Sequence, residues 1–158
     1  MKKIILAAAM MSLVVSSCNG KQRETEKTTN KTENKMKTIH TDKAPAAVGP
    51  YSQAVISGGL VYTSGQIAIN PATNTVEAAD IQGQTEQIMK NLGEVLKAAG
   101  SSFEKAVKTT CFLADMNDFA AFNEIYGKYF TSLPARSCVA VKTLPKNVLA
   151  EVEVIAEV

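Results

Sequence analysis

Two short stretches near the C-terminal end gather most of the side chains that could do chemistry: Arg136-Ser137-Cys138 and Glu151-Val152-Glu153. Between them lies Leu144-Pro145-Lys146-Asn147, a turn sequence, so the spacing predicts that the two stretches belong to a hairpin. If Thr143 pairs with Val148, Val139 falls opposite Val152. Arg136 and Cys138 would then share a face with Glu151 and Glu153, and Val139, Val141, Val152 and Val154 would form the core face. A guanidinium is shaped to hold a carboxylate through two parallel hydrogen bonds. A neighbouring carboxylate can position and deprotonate a water, an effect worth roughly 100- to 10,000-fold. The same pattern also describes a solvated, ion-paired sheet face, and Cys138 alone is more often a small packed residue than a nucleophile. Spacing does not choose between Glu151 and Glu153.

Other chemistries find little support. No glycine-rich phosphate loop, serine nucleophile elbow or metal-ligand cluster is present, so neither a cofactor nor a metal is expected. The cysteines, Cys18, Cys111 and Cys138, are odd in number and widely spaced, which fits neither a disulfide framework nor a zinc site. His40 is the sole histidine, which argues against a histidine triad or a multi-histidine metal site. The net charge of +2 hides an asymmetry: residues 1–37 hold eight Lys/Arg and three Glu, whereas residues 38–158 hold nine Lys/Arg and twelve Asp/Glu. The bulk of the chain is therefore mildly acidic and lacks the basic surface that neutralises phosphates, so no nucleic-acid partner is expected.

The elements that must position these residues can be read coarsely. Residues 53–57 and 60–64 flank Gly58-Gly59 as a hairpin. Residues 67–69 continue the strand signal into a turn at 70–74. Residues 80–99 carry Ile81, Ile88, Leu92, Val95, Leu96 and Ala99 at helical spacing, with Asp80 as N-cap and Gly100 as stop. Gly83 and Gly93 inside this helix suggest close approach of another backbone. Residues 106–114 read as a β-branched strand. Asn117 caps a second helix from 118 to about 130, with Phe119, Phe122, Tyr126 and Phe130 on its buried side. Strands at 136–141 and 149–158 complete an order close to ββαββαββ, an α+β two-layer sandwich with two helices on one sheet face.

The N-terminal end reads differently. Met1-Lys2-Lys3 is a positive n-region, residues 4–15 are an apolar h-region, and Val15-Ser16-Ser17-Cys18 resembles a bacterial lipobox with valine in the usual leucine position. Residues 1–17 are expected to be a signal peptide, with lipid attached at Cys18 as the only membrane attachment, on the bacterial cell envelope. The stretch 18–37, rich in Lys, Glu, Thr and Asn, is expected to be a disordered tether before a domain at 38–158. A product started at Met36 would be cytoplasmic instead.

Several stretches together resemble the Rid (YjgF) family, nearest to its reactive-intermediate deaminase A subgroup. They are residues 44–54 (APAAVGPYSQA), 63–67 (TSGQI), Asn117-Asp118-Phe119 with Asn123, residues 134–139 (PARSCV), Leu144-Pro145 and Glu151-Val152-Glu153. The resemblance implies a chorismate-mutase-like mixed sheet and a homotrimer with clefts between subunits. It implies metal- and cofactor-free hydrolysis of 2-iminopropanoate and 2-iminobutanoate to 2-oxo acids and ammonia. Some relatives instead carry a ribonuclease or translation-inhibitor label, and a non-catalytic carboxylate-binding or chaperone-like trimer is the further alternative. Carried over by position, Arg136 would bind the substrate carboxylate and Glu151 would orient the attacking water. Tyr51, Gly65, Asn123 and Cys138 would line the cleft. The connection 131–133 is short for the family, which bears on the cleft rim.

Overall fold

A computed structural model describes residues 36–158; the expected signal peptide, the expected lipid-attachment residue Cys18 and nearly all of the expected tether lie outside the described residues. The strands are β1 (Lys37–Ile39), β2 (Ala54–Ser57), β3 (Leu60–Thr63), β4 (Ile69–Asn70), β5 (Thr75–Val76), β6 (Ala106–Leu113), β7 (Ala135–Ala140) and β8 (Ala150–Glu157). The helices are α1 (Ile81–Ala98) and α2 (Phe119–Tyr129). Six strands form one sheet in the order β1-β2-β3-β8-β6-β7, antiparallel except for β6 and β7; β4 and β5 form a separate two-stranded ribbon. This is the expected mixed α+β architecture, with one strand rather than two between the helices.

Local chemistry accounts for the well-formed elements. The β2–β3 turn falls at Gly58-Gly59, both at positive φ, which suits a tight hairpin. Helix α1 starts at Asp80, whose carboxylate accepts from the Gly83 N–H at 2.7 Å, and stops at Gly100, φ +81°. Its expected apolar face is buried along its length; each fully buried aliphatic side chain there contributes about 1.5–3 kcal/mol before entropy is counted. Side chains, not backbone, explain its internal glycines: a Cβ on Gly83 would meet Ala78 at 2.7 Å, and one on Gly93 would meet the Phe103 ring at 3.3 Å. Asn117 does not cap α2. The chain enters that helix through a 3-10 turn at Met116–Asp118, and the Asp115 side chain caps the turn by accepting from the Asn117 N–H at 2.9 Å.

The C-terminal strands do not form the expected hairpin. Strand β6 lies between β7 and β8, with Cys111 opposite Cys138 on one side and Val152 on the other. Strands β6 and β7 are joined through α2, and a strand–helix–strand unit returns its second strand parallel beside the first. Strand β8 is thereby left the opposite edge of β6, where β3 covers its other side. The residues of β8 alternate buried and half-buried from Ala150 to Ala156, as a central strand with one covered face requires.

Candidate active site

This register moves the candidate residues apart. Arg136 is opposite Thr109, which is opposite Val154; Glu151 is opposite Phe112, which is opposite Val139. Directly paired residues project to the same side of a sheet and successive residues alternate. Thr109 faces the helices, since its hydroxyl bonds the Tyr126 hydroxyl of α2 at 2.8 Å. Arg136 and Cys138 therefore lie on the helix face with buried Val152 and Val154, whereas Glu151 and Glu153 lie on the uncovered face with Phe112 and 47%-exposed Val139. The spacing argument that put the guanidinium and the carboxylates on one face is overturned by the strand inserted between them.

The cationic half-site sits between β7 and α2, in a cleft of about 330 Å³ that also takes in Gly127, Phe130, Leu133 and Pro134. The Arg136 Nη1 donates to the Asn123 Oδ1 at 2.7 Å, the one hydrogen bond of this guanidinium among the described residues. Its Cζ lies 4.7 Å from the Tyr126 ring centroid and 5.5 Å from that of Phe119. The remaining N–H groups are left for an incoming anion. Asn123 thus acts on Arg136 rather than standing independently in the cleft. Cys138 is half-buried beside it. Burial pushes the Cys138 thiol up, against the opposing effect of Arg136, and burial followed by Cys138 pushes Cys111 up to about 12. Both are therefore thiols near neutrality, which disfavours a thiolate nucleophile.

The carboxylate half-site opens on the other side of the sheet. Glu151, Tyr51, Gly65, Val48, Ile67 and Pro145 are among the residues lining a cleft of about 400 Å³. Backbone pairing of Gln66 with Val152 holds Gly65 against Glu151. A Cβ at Gly65 would collide with the Glu151 carboxylate, and its φ is not positive, so the glycine is needed for space and not for a bend. Tyr51 is half exposed and its hydroxyl accepts from the Val48 N–H at 3.3 Å. Burial first, and the Glu153 charge second, push the Glu151 carboxyl up. A carboxylate so raised is a stronger base once ionised.

Sequence reading missed two supports. Gln53 is buried, and its amide donates to the Thr41, Ala44 and Pro45 carbonyls at 3.0, 3.3 and 2.8 Å, pinning the loop that leads to Val48 and Tyr51. Tyr126 and Phe119 were read as core, yet they flank Arg136. The available signal was their helical spacing from Asn123, at i+3 and i−4, on the same face. No cluster able to hold a metal ion occurs among the described residues.

Residues 41–158 match the family described as Endoribonuclease L-PSP. A RutC family protein of Synechocystis is 52% identical over 124 residues, covering 77% of this chain and 95% of the relative. The mouse protein named 2-iminobutanoate/2-iminopropanoate deaminase is 50% identical over 121 residues, covering 76% and 90%. Among solved structures, a protein of the conserved Rid family, YyfA from Yersinia pestis, superposes with a TM-score of 0.76 at 48% identity, covering 78% of this chain and all of that one.

Proposed function

Because the chain belongs to the Rid/YjgF family, whose relatives at about 50% identity include named 2-imino acid deaminases, we propose that it is a cofactor-independent deaminase of 2-iminopropanoate and 2-iminobutanoate. The observation that carries this reading is the pair of complementary half-sites, a preset guanidinium on one sheet face and a desolvated carboxyl on the other. One protomer cannot bring them to a single substrate. A homotrimer can, if the Arg136 cleft of one copy abuts the Glu151 cleft of the next. The uncovered sheet face, with Tyr62 and Val139 exposed and Phe112 and Ile155 half exposed, supplies an apolar surface for a second copy.

In this site Arg136 takes the substrate carboxylate and fixes the C=N carbon. Glu151 accepts a proton from a water as its oxygen bonds to that carbon, the C=N π electrons pass to nitrogen, and Glu151 returns the proton there. The carbinolamine then collapses: its hydroxyl proton passes through Glu151 to nitrogen, C=O forms as the C–N bond breaks, ammonia leaves, and the 2-oxo acid remains. Water supplies the oxygen, and no electrons change hands. The backbone amide near Cys138 is the contact for the imine nitrogen, with the thiol as a wall of the pocket.

We further propose that the protein is lipid-anchored on the bacterial envelope, a reading supported by the leader Met1–Lys3, its apolar run and Cys18. Mass spectrometry of the native N-terminus tests this: a lipidated Cys18 supports it and a start at Met36 contradicts it. The enzymatic reading is tested by turnover of freshly generated 2-iminopropanoate with wild type and Arg136→Ala. Rapid turnover lost in the variant supports it, and equal rates contradict it.

A further inference from the structure

The surroundings of Arg136 contain a device that the reaction scheme does not use. Thr109 on β6 is the direct register partner of Arg136 on β7, so the two side chains rise from the sheet side by side toward α2. The Thr109 hydroxyl is completely buried and bonds the Tyr126 hydroxyl at 2.8 Å. That bond fixes Tyr126 where its ring meets the neighbouring guanidinium, 4.7 Å from Cζ. The ring is also backed by Phe130, stacked at 4.4 Å between centroids, so it has little freedom to move away.

We infer that Tyr126, tethered by Thr109, is a positioning residue: an aromatic platform that presets the Arg136 guanidinium for the substrate carboxylate. The Asn123 carbonyl oxygen fixes one nitrogen of the guanidinium, at 2.7 Å. A single hydrogen bond leaves the plane free to swing about that contact. A ring within cation–π distance limits the swing. Together the two contacts define both the position and the tilt of the fork, which bidentate carboxylate binding requires. Burial raises the Tyr126 hydroxyl, outweighing the opposite effect of the Thr109 hydrogen bond, so it stays protonated near neutrality. The platform binds ground state and transition state alike, because the carboxylate is unchanged by the reaction. Its removal should appear in KM and not in kcat.

This rests on Arg136 being the carboxylate clamp, and the test separates the two claims. Wild type, Tyr126→Phe, Tyr126→Leu and Thr109→Val are compared for turnover of 2-iminopropanoate and, by calorimetry, for binding of 2-oxobutanoate. Melting curves verify folding. Tyr126→Leu is expected to raise KM and Kd by about 5- to 30-fold, the range a half-buried cation–π contact covers, with kcat changed less than about threefold. Tyr126→Phe keeps the ring and should restore most of the affinity. Thr109→Val, which cuts the tether, should raise Kd by about two- to fivefold. Unaltered KM and Kd in a folded Tyr126→Leu would overturn the platform. If that variant does not fold, an unaltered Kd in Thr109→Val overturns it. An effect confined to kcat also overturns it. A wild type that binds 2-oxobutanoate without turning over the imine would refute the deaminase reading and leave the platform standing.

Discussion

The two half-sites of this protein are built on contrasting principles. Around Arg136 the environment is preset: a hydrogen bond to Asn123, two aromatic rings and the wall of α2 hold the guanidinium in place. Around Glu151 it is poised: the carboxyl is half-buried, has a like charge beside it at Glu153, and sits in an open cleft where its protonation state can change. A clamp gains from rigidity and a permanent charge. A base gains from a titration point displaced toward the working pH. In the proposed reaction the sheet separates the two tasks by placing them on alternate residues of its two faces, so that a complete site would need a second copy.

The largest effect is expected from the poised half. Glu151→Gln should lower kcat by about 100- to 10,000-fold in steady-state turnover, as loss of a general base does. The same substitution should not lower the melting temperature at pH 8. The folded carboxyl titrates above its ordinary value of 4.5, so its contribution to stability is fully present below that value and is lost as pH rises through the raised one. Glutamine removes a desolvated charge. The gain stays below about 1 kcal/mol because the group is partly solvated, and it should vanish in melts taken below the ordinary carboxylate range. A large loss of stability at pH 8 would mean that Glu151 is a structural ion-pair member instead.

Arg136→Ala should cost about 100-fold or more in kcat/KM, with much of the loss in KM, because it removes a bidentate contact to a charged group. If KM is unmoved, the preset half is not the carboxylate clamp. A Gly65→Ala substitution is expected to displace the Glu151 side chain, lowering kcat by about tenfold or more while costing about 1–3 kcal/mol in chemical denaturation. The smallest effect belongs to Glu153→Gln. Removing that neighbouring charge should move the acid limb of the kcat/KM profile to lower pH without abolishing its displacement, since burial is the larger cause.

The contrast also marks what could be read from the sequence. Helix α1 was legible because its periodicity is long and its ends carry an N-cap and a positive-φ glycine; the β2–β3 hairpin was legible from Gly58-Gly59. The β7–β8 relationship was not, because Leu144-Pro145-Lys146-Asn147 does form a tight turn, with Lys146 and Asn147 at positive φ, yet the strands on either side of it do not pair. Local turn chemistry says where a chain bends and not which strand it then joins. The β6–α2–β7 succession held the missing information, because a helical connection favours parallel pairing. Strand β1 is too short for its periodicity to be seen, and it begins at Lys37, one residue inside the stretch expected as tether. The candidate residues were legible as residue types and by family resemblance, but their division between opposite faces depended on long-range register.

The claim that the two faces meet between copies is tested most directly by mixing two inactive variants. Arg136→Ala and Glu151→Gln chains are unfolded together at equal concentration, refolded and assayed for 2-iminopropanoate turnover, at substrate below the wild-type KM, against each variant refolded alone. If each site draws its arginine from one copy and its glutamate from another, random assembly should restore about one quarter of the wild-type rate, with neither variant active alone. No recovery from a mixture verified to contain hybrid assemblies would contradict a shared site and with it the proposed chemistry.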